Sequence, residues 1–262
     1  VDVAASDRNS DGHRDNLKSA SDATSASAQW SNDWLRLGAR AGRDSTRSGF
    51  PGPLSAAQYA TNPRQAISQS EYGATQSSHS GIFAEAFVGS WQLVADANQR
   101  SKNYDSLAYA SPYGYKVDSY NTSLRARHEG KLGQMPNVFV LGNDRGQWDR
   151  TIVNSMFTPV GTRAMADTSA WYAKDDLTLP ASGTRLSLGY RTESLEKSET
   201  SSLTALNQRQ RAWEFGVSQP LAAGLLAYGR VGRSFRLANV DEFSFTNPGA
   251  PLQPQTSRDL EL

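Results

Sequence analysis

Leu35-Arg36-Leu37-Gly38-Ala39-Arg40-Ala41-Gly42 decides how the rest of this chain is read. An extended strand turns successive side chains to opposite sides. Leu35, Leu37, Ala39 and Ala41 therefore share one face, and Arg36, Gly38, Arg40 and Gly42 the other. A dry core would reject unpaired charge at a cost of several kcal/mol per group. The two sides of this segment consequently suit two different media, one apolar and one wet.

The same zigzag appears elsewhere. Leu186, Leu188 and Tyr190 oppose Arg185, Ser187 and Arg191, and Trp213, Phe215 and Val217 oppose Glu214, Gly216 and Ser218. Strands are expected over 1–12, 20–31, 34–47, 83–88, 91–105, 117–130, 138–147, around Trp171-Tyr172, and over 185–191, 213–217 and 225–235. That makes about eleven strands, with the start of a twelfth after Leu252. Residues 48–80, with Gly49, Pro51, Gly52, Pro53 and Pro63, break both periodicities and read as one long loop. Asp175–Gly183 reads as a turn carrying solvated acids; Asp175 and Asp176 are neighbours and so face opposite ways on any strand. The connections alternate between roughly two to six residues and roughly nine to thirty-three, a pattern that suits the two ends of a membrane barrel. Trp30 and Trp34, at the shoulders of a tight turn, suit a membrane interface and equally the core of a soluble sandwich.

Bulk properties exclude several classes. The 262 residues carry a net charge of +1 with Lys and Arg interleaved among acids, which is no nucleic-acid footprint. The absence of Cys excludes disulfide frameworks and thiolate chemistry. Mean hydropathy is −0.59 and no long apolar run is present. A transmembrane helix is excluded, but a transmembrane barrel is not. No nucleotide-binding or hydrolase motif occurs, and His13, His79 and His128 do not share a strand face, so no catalytic, metal or cofactor site is implied. Asp7-Arg8-Asn9-Ser10-Asp11-Gly12 begins like a calcium loop, but its twelfth position is Lys18 instead of a bidentate Glu. A Gly-containing turn is the simpler reading. The loop carries Tyr59, Arg64 and Tyr72 among small polar residues, a mix that suits gripping a polar ligand such as a metal chelate.

Two stretches near the end carry a resemblance. Ser234-Phe235-Arg236-Leu237-Ala238-Asn239-Val240-Asp241-Glu242 and Leu252-Gln253-Pro254-Gln255-Thr256-Ser257 resemble the paired signature of TonB-dependent outer-membrane receptors. Ala238 stands where that family usually has proline, and Gln255 where it usually has an acid. Asp11-Gly12-His13-Arg14-Asp15-Asn16 and the Gly49–Ser55 segment are also similar to stretches of these receptors. The resemblance implies an all-β fold: an antiparallel up-and-down transmembrane β-barrel, of which 1–262 is a part, about half of a 22-stranded wall. It assigns a strand-capping role to Ser234, Phe235, Arg236, Asn239, Asp241, Glu242, Pro254 and Ser257. It also implies uptake of a scarce nutrient (a ferric siderophore, haem or cobalamin) across the bacterial outer membrane. The inner-membrane energy-coupling protein TonB would act through a plug that this sequence does not show. Val1-Asp2 at the start and a strand that stops at Leu262 lead to the expectation of a piece of a longer chain. The alternative is a secreted or surface all-β binding module, carbohydrate-binding or adhesive.

Overall fold

The computed structural model describes residues 1–200, 204–238 and 252–262. Among the described residues, twelve strands form one antiparallel sheet in which every strand pairs with its sequence neighbours. They are β1 (Asp2–Ser10), β2 (Ser19–Ser31), β3 (Leu35–Gly49), β4 (Tyr72–Val88), β5 (Trp91–Ala108) and β6 (Ser111–Leu132). The series continues with β7 (Met135–Ser155), β8 (Arg163–Thr178), β9 (Arg185–Glu199), β10 (Thr204–Pro220), β11 (Leu226–Arg236) and β12 (Gln255–Glu261). One short helix, α1 (Ala56–Thr61), sits between β3 and β4. No helix among the described residues is long and apolar enough to cross a membrane. The sheet is an open meander.

Register settles which side chains share a face. Arg36 lies opposite Glu85, Gly38 opposite Phe83 and Arg40 opposite Gly81, while Leu35, Leu37 and Ala39 lie opposite Ala86, Ala84 and Ile82. Arg185 and Arg191 likewise sit with Ser218 and Ala212, and Leu186 and Leu188 with Val217 and Phe215. The arginines and leucines project from opposite sides, as the alternation requires. Large apolar residues are exposed on the second side: Ile82 is 65% exposed, Leu124 58%, Trp171 54% and Leu188 58%. The few buried apolar residues include Ile152, Ala164, Ala170 and Leu195, all on the polar side by register. A water-soluble protein hides apolar surface. This sheet turns a continuous apolar band outward and buries charged and small residues inward, as a barrel wall in lipid does.

The band occupies only the half of each strand next to the tight links 32–34, 89–90 and 133–134. Trp30, Trp34 and Trp91 flank it at that end, with Tyr120, Trp171, Tyr190 and Trp213 toward the other, which matches the two aromatic girdles of a transmembrane barrel. Beyond the upper girdle the outer face becomes Arg43, Ser45, Gln76, Ser78, Gln99, Ser101 and Asn103, so the outer side turns polar as well.

Several strands run longer than the sequence reading had them, β7, β9 and β10 among them, and three boundaries change the reading of a link. The long loop ends at Tyr72, since 72–80 belong to β4; Ala74, Thr75, Gln76, Ser77 and Ser78 show no alternation because small and polar residues occupy both faces there. The break between 105 and 117 is likewise strand, closed by Tyr109-Ala110 with φ of 53° and 58°, a two-residue turn at the end where long links were expected. Asp175 and Asp176 sit within β8 and not in a turn; the link is 179–184. The opposite orientation expected of them holds, with Asp175 facing Leu188 and Asp176 facing Ser187.

Candidate functional site

The inner face is the candidate surface, and it has two zones. In the lower zone, level with the apolar band, charges are paired across strands. Glu85, 4% exposed, meets the Arg36 guanidinium and the Gln92 amide. Arg191 reaches Asp144 at 2.8 Å and Glu193 at 2.9 Å, and Arg185 reaches Asp176 at 2.9 Å. Arg230 lies 3.6 Å from Glu214 and 3.5 Å from Glu261. Pairing is what lets charges sit in a partly desolvated wall, since an orphaned buried partner is costly. Two glycines receive rings: a Cβ at Gly38 would overlap the Phe83 ring, and one at Gly142 the Tyr172 ring. Arg36 and Arg191 then lie over those rings, each 5.7 Å from the centroid. A hollow of about 410 Å³ opens over Gly189 and Gly232, rimmed by Lys174, Arg191, Glu214 and Arg230.

The upper zone is aromatic and cationic. Tyr104 pairs with Tyr115 and Ser106 with Tyr113 across β5 and β6, so the three tyrosines share the inner face. Tyr104 and Tyr115 stack at 5.1 Å between centroids, and Tyr113 stands 5.8 Å from Tyr115 and 6.4 Å from Tyr104. The Lys102 ammonium lies 5.7 Å from the Tyr115 ring. Sequence reading missed this group because Tyr113 and Tyr115 fall where a loop was expected; the Tyr-x-Tyr spacing at 113 and 115 was the available signal.

The loop residues singled out by sequence are not brought together. Tyr59 is on α1 and 66% exposed. Arg64 follows α1, and its carbonyl accepts from the Asp15 N–H at 2.8 Å. Tyr72 is on the outer face of β4, under the Arg47 guanidinium at 4.0 Å, and its hydroxyl donates to Asp105 at 2.5 Å. That position lies beyond the apolar band, and the bond to the Asp105 carboxylate holds the phenol above its ordinary ionisation range.

The loop itself is held by two residues that sequence reading had placed in a turn. The Asn16 amide is within 3.1 Å of the Phe50 carbonyl and 3.0 Å of those of Ser68 and Glu71. Arg14 donates to the Gly52 and Gln65 carbonyls at 2.8 and 3.0 Å. The 11–18 link thus clamps the 50–71 link. Asp7 and Asn9 are strand residues bonded to each other, and no cluster of metal-ligating side chains exists among the described residues. Of the terminal signature, Ser234, Phe235 and Arg236 end β11 and lie opposite Ser257, Thr256 and Gln255 of β12, with Pro254 just before it. Asn239, Asp241 and Glu242 fall outside the described residues.

Comparison with solved structures finds this wall in larger proteins. The ferric citrate transporter FecA matches with a TM-score of 0.79 and 12% identity, over 94% of this chain and 40% of that one. The fold is that of a TonB-dependent receptor barrel. BauA, the ferric preacinetobactin receptor of Acinetobacter baumannii, gives 0.73 and 14% over 97% of this chain and 45% of its own. The ferric-catecholate import receptor Fiu of E. coli K12 gives 0.72 and 12% over 88% and 49%. The chain therefore spans less than half the length of these receptors. No family model and no curated protein sequence matches it. At such identities the likeness speaks for the receptor-barrel wall alone.

Proposed function

We propose that this chain is part of the wall of a bacterial outer-membrane receptor that takes up a scarce nutrient as a small metal chelate. The observation that supports it is the inversion of the sheet, with apolar residues such as Ile82, Leu124 and Leu188 exposed on one face and Glu85 buried on the other. An apolar band with flanking aromatic girdles fits lipid on the outside of the wall, where membrane barrels carry such a band about 25 Å tall. The inner face, with its paired charges, suits a polar plug or a wet lumen. Tyr59 and Arg64 are the proposed loop contacts to the chelate, and Tyr72 steadies the base of that loop from the outer wall. On this reading the plug, moved by TonB, supplies the transport step, and this chain supplies the wall and part of the mouth.

The test uses the full-length protein. It should extract from membranes only in detergent, with heat-modifiable gel mobility, and support energy-coupled uptake of a radio-iron chelate by cells lacking other receptors. Release as a soluble protein without detergent would overturn the reading. The secreted-module alternative is disfavoured by the same band, since an apolar patch of this extent on a soluble protein invites aggregation.

A further inference from the structure

The tyrosine group at the top of β5 and β6 narrows the chelate to one chemical class; this inference rests on the uptake reading above. Cross-strand aromatic pairs stabilise a hairpin, and the Tyr104–Tyr115 stack serves that purpose. A third ring, Tyr113, is tilted by 60° to Tyr104 and 58° to Tyr115, and the stacked pair with this tilted ring makes an aromatic platform on the inner face, where all three residues remain partly exposed. The hydroxyls of Tyr104 and Tyr115 make no hydrogen bond among the described residues, so they are available to a guest. Lys102 faces the platform and has no carboxylate within 4 Å among the described residues. Arg100, one inner-face position lower, donates to the Ser77 hydroxyl at 3.2 Å and reaches Asp44 only through it. The platform thus offers ring faces, phenolic donors and net positive charge at one place. Rings stack on rings whatever their substituents, and cations select anionic guests.

We propose that Tyr104, Tyr113 and Tyr115, with Lys102 and Arg100, bind an anionic metal chelate whose ligating groups are aromatic rings. Such a guest stacks its catechol or phenol rings on the tyrosines and places its excess negative charge beside the two cations. An aliphatic hydroxamate or carboxylate chelate has no ring to stack and gains only the charge contact.

The test measures binding to the purified full-length receptor in detergent and uptake by cells, with three probes: an iron(III) tris-catecholate, iron(III)-desferrioxamine B and iron(III) citrate. The tris-catecholate should bind at least tenfold more tightly than the other two. Tyr104→Ala and Tyr115→Ala should each weaken it by about tenfold with little effect on the others. Tyr115→Phe, which keeps the ring and removes only the hydroxyl, should lose much less than Tyr115→Ala, and the loss in Lys102→Ala should shrink at high salt. Heat-modifiable mobility checks that each variant folds. Wild-type catecholate affinity in the folded Tyr104→Ala/Tyr115→Ala double variant would overturn the inference. So would uptake of the hydroxamate or citrate complex in preference to the catecholate, which would leave the uptake reading standing. Failure to bind or import any of the three would overturn the inference, while release of the protein without detergent would sink the uptake reading with it.

Discussion

The lower and upper halves of the same strands obey different rules. In the lower half one face is apolar and the other charged or polar, and the residues alternate cleanly from Leu35 to Ala41 and from Arg185 to Arg191. In the upper half polar residues occupy both faces, and β4 runs through Tyr72-Gly73-Ala74-Thr75-Gln76-Ser77-Ser78 with no apolar-polar alternation. The hydrogen-bonded ladder continues unbroken through both halves. Alternation therefore reports a difference between two media, whereas strand pairing needs only a neighbour with a matching edge. Above the band, other contacts hold the strands upright: the tyrosine stack, Tyr72 between Arg47 and Asp105, and polar cross-strand bonds such as Gln99 to Ser80 at 2.9 Å.

The contrast can be broken most sharply by one substitution on each half. Ile82→Arg places a charge on the outer face within the band, opposite Ala39 and Ala97, and should cost about 2–4 kcal/mol or abolish barrel assembly. Gln76→Arg, six residues higher on the same face and strand, should stay within about 0.5 kcal/mol of the parent. Urea unfolding in lipid vesicles reads both, and equal costs would show that the band has been misplaced. Glu85→Ala comes next. It strips the Arg36 guanidinium and the Gln92 amide of their acceptor, and should lower stability by about 2 kcal/mol, with Glu85→Gln restoring part of it. A neutral result would mean that the lower inner face is as wet as the upper.

Asn16→Ala removes the amide shared by three carbonyls of the 50–71 link and should cost about 1–2 kcal/mol locally. Limited proteolysis should then cut within 50–71 while the strands stay protected, which separates loop order from wall order. The smallest effect belongs to the upper turn. Ala110, at φ 58°, sits in the left-handed region, where glycine is at ease. Ala110→Gly should therefore stabilise the β5–β6 hairpin by up to about 1 kcal/mol, visible as slower amide exchange at 106–113. An unchanged exchange rate would place the strength of that hairpin in the tyrosines alone.

What could be read without coordinates follows the same division. The zigzag segments, the two faces and the short links at one end were legible, because each depends on side-chain order along a single strand. The upper strand halves were not, and 72–80 and 106–116 passed for loop because polar residues on both faces look the same as polar residues in a loop. The tyrosine group and the clamp on the loop were hidden for another reason. Tyr104 and Tyr115 meet across a ladder, and Asn16 meets Phe50, Ser68 and Glu71 across two links, so neither proximity is written in local order.

The residue order by itself determined that this chain forms strands with one greasy and one charged side, since the period of two is a property of the extended backbone. Only the tertiary structure decided which side chains meet: that Arg191 has both Asp144 and Glu193, that Tyr72 turns outward to Asp105, and that three tyrosines gather on the inner wall. Those encounters depend on register and on how far each pair of strands climbs before turning. Register and climb are set by the sheet as a whole.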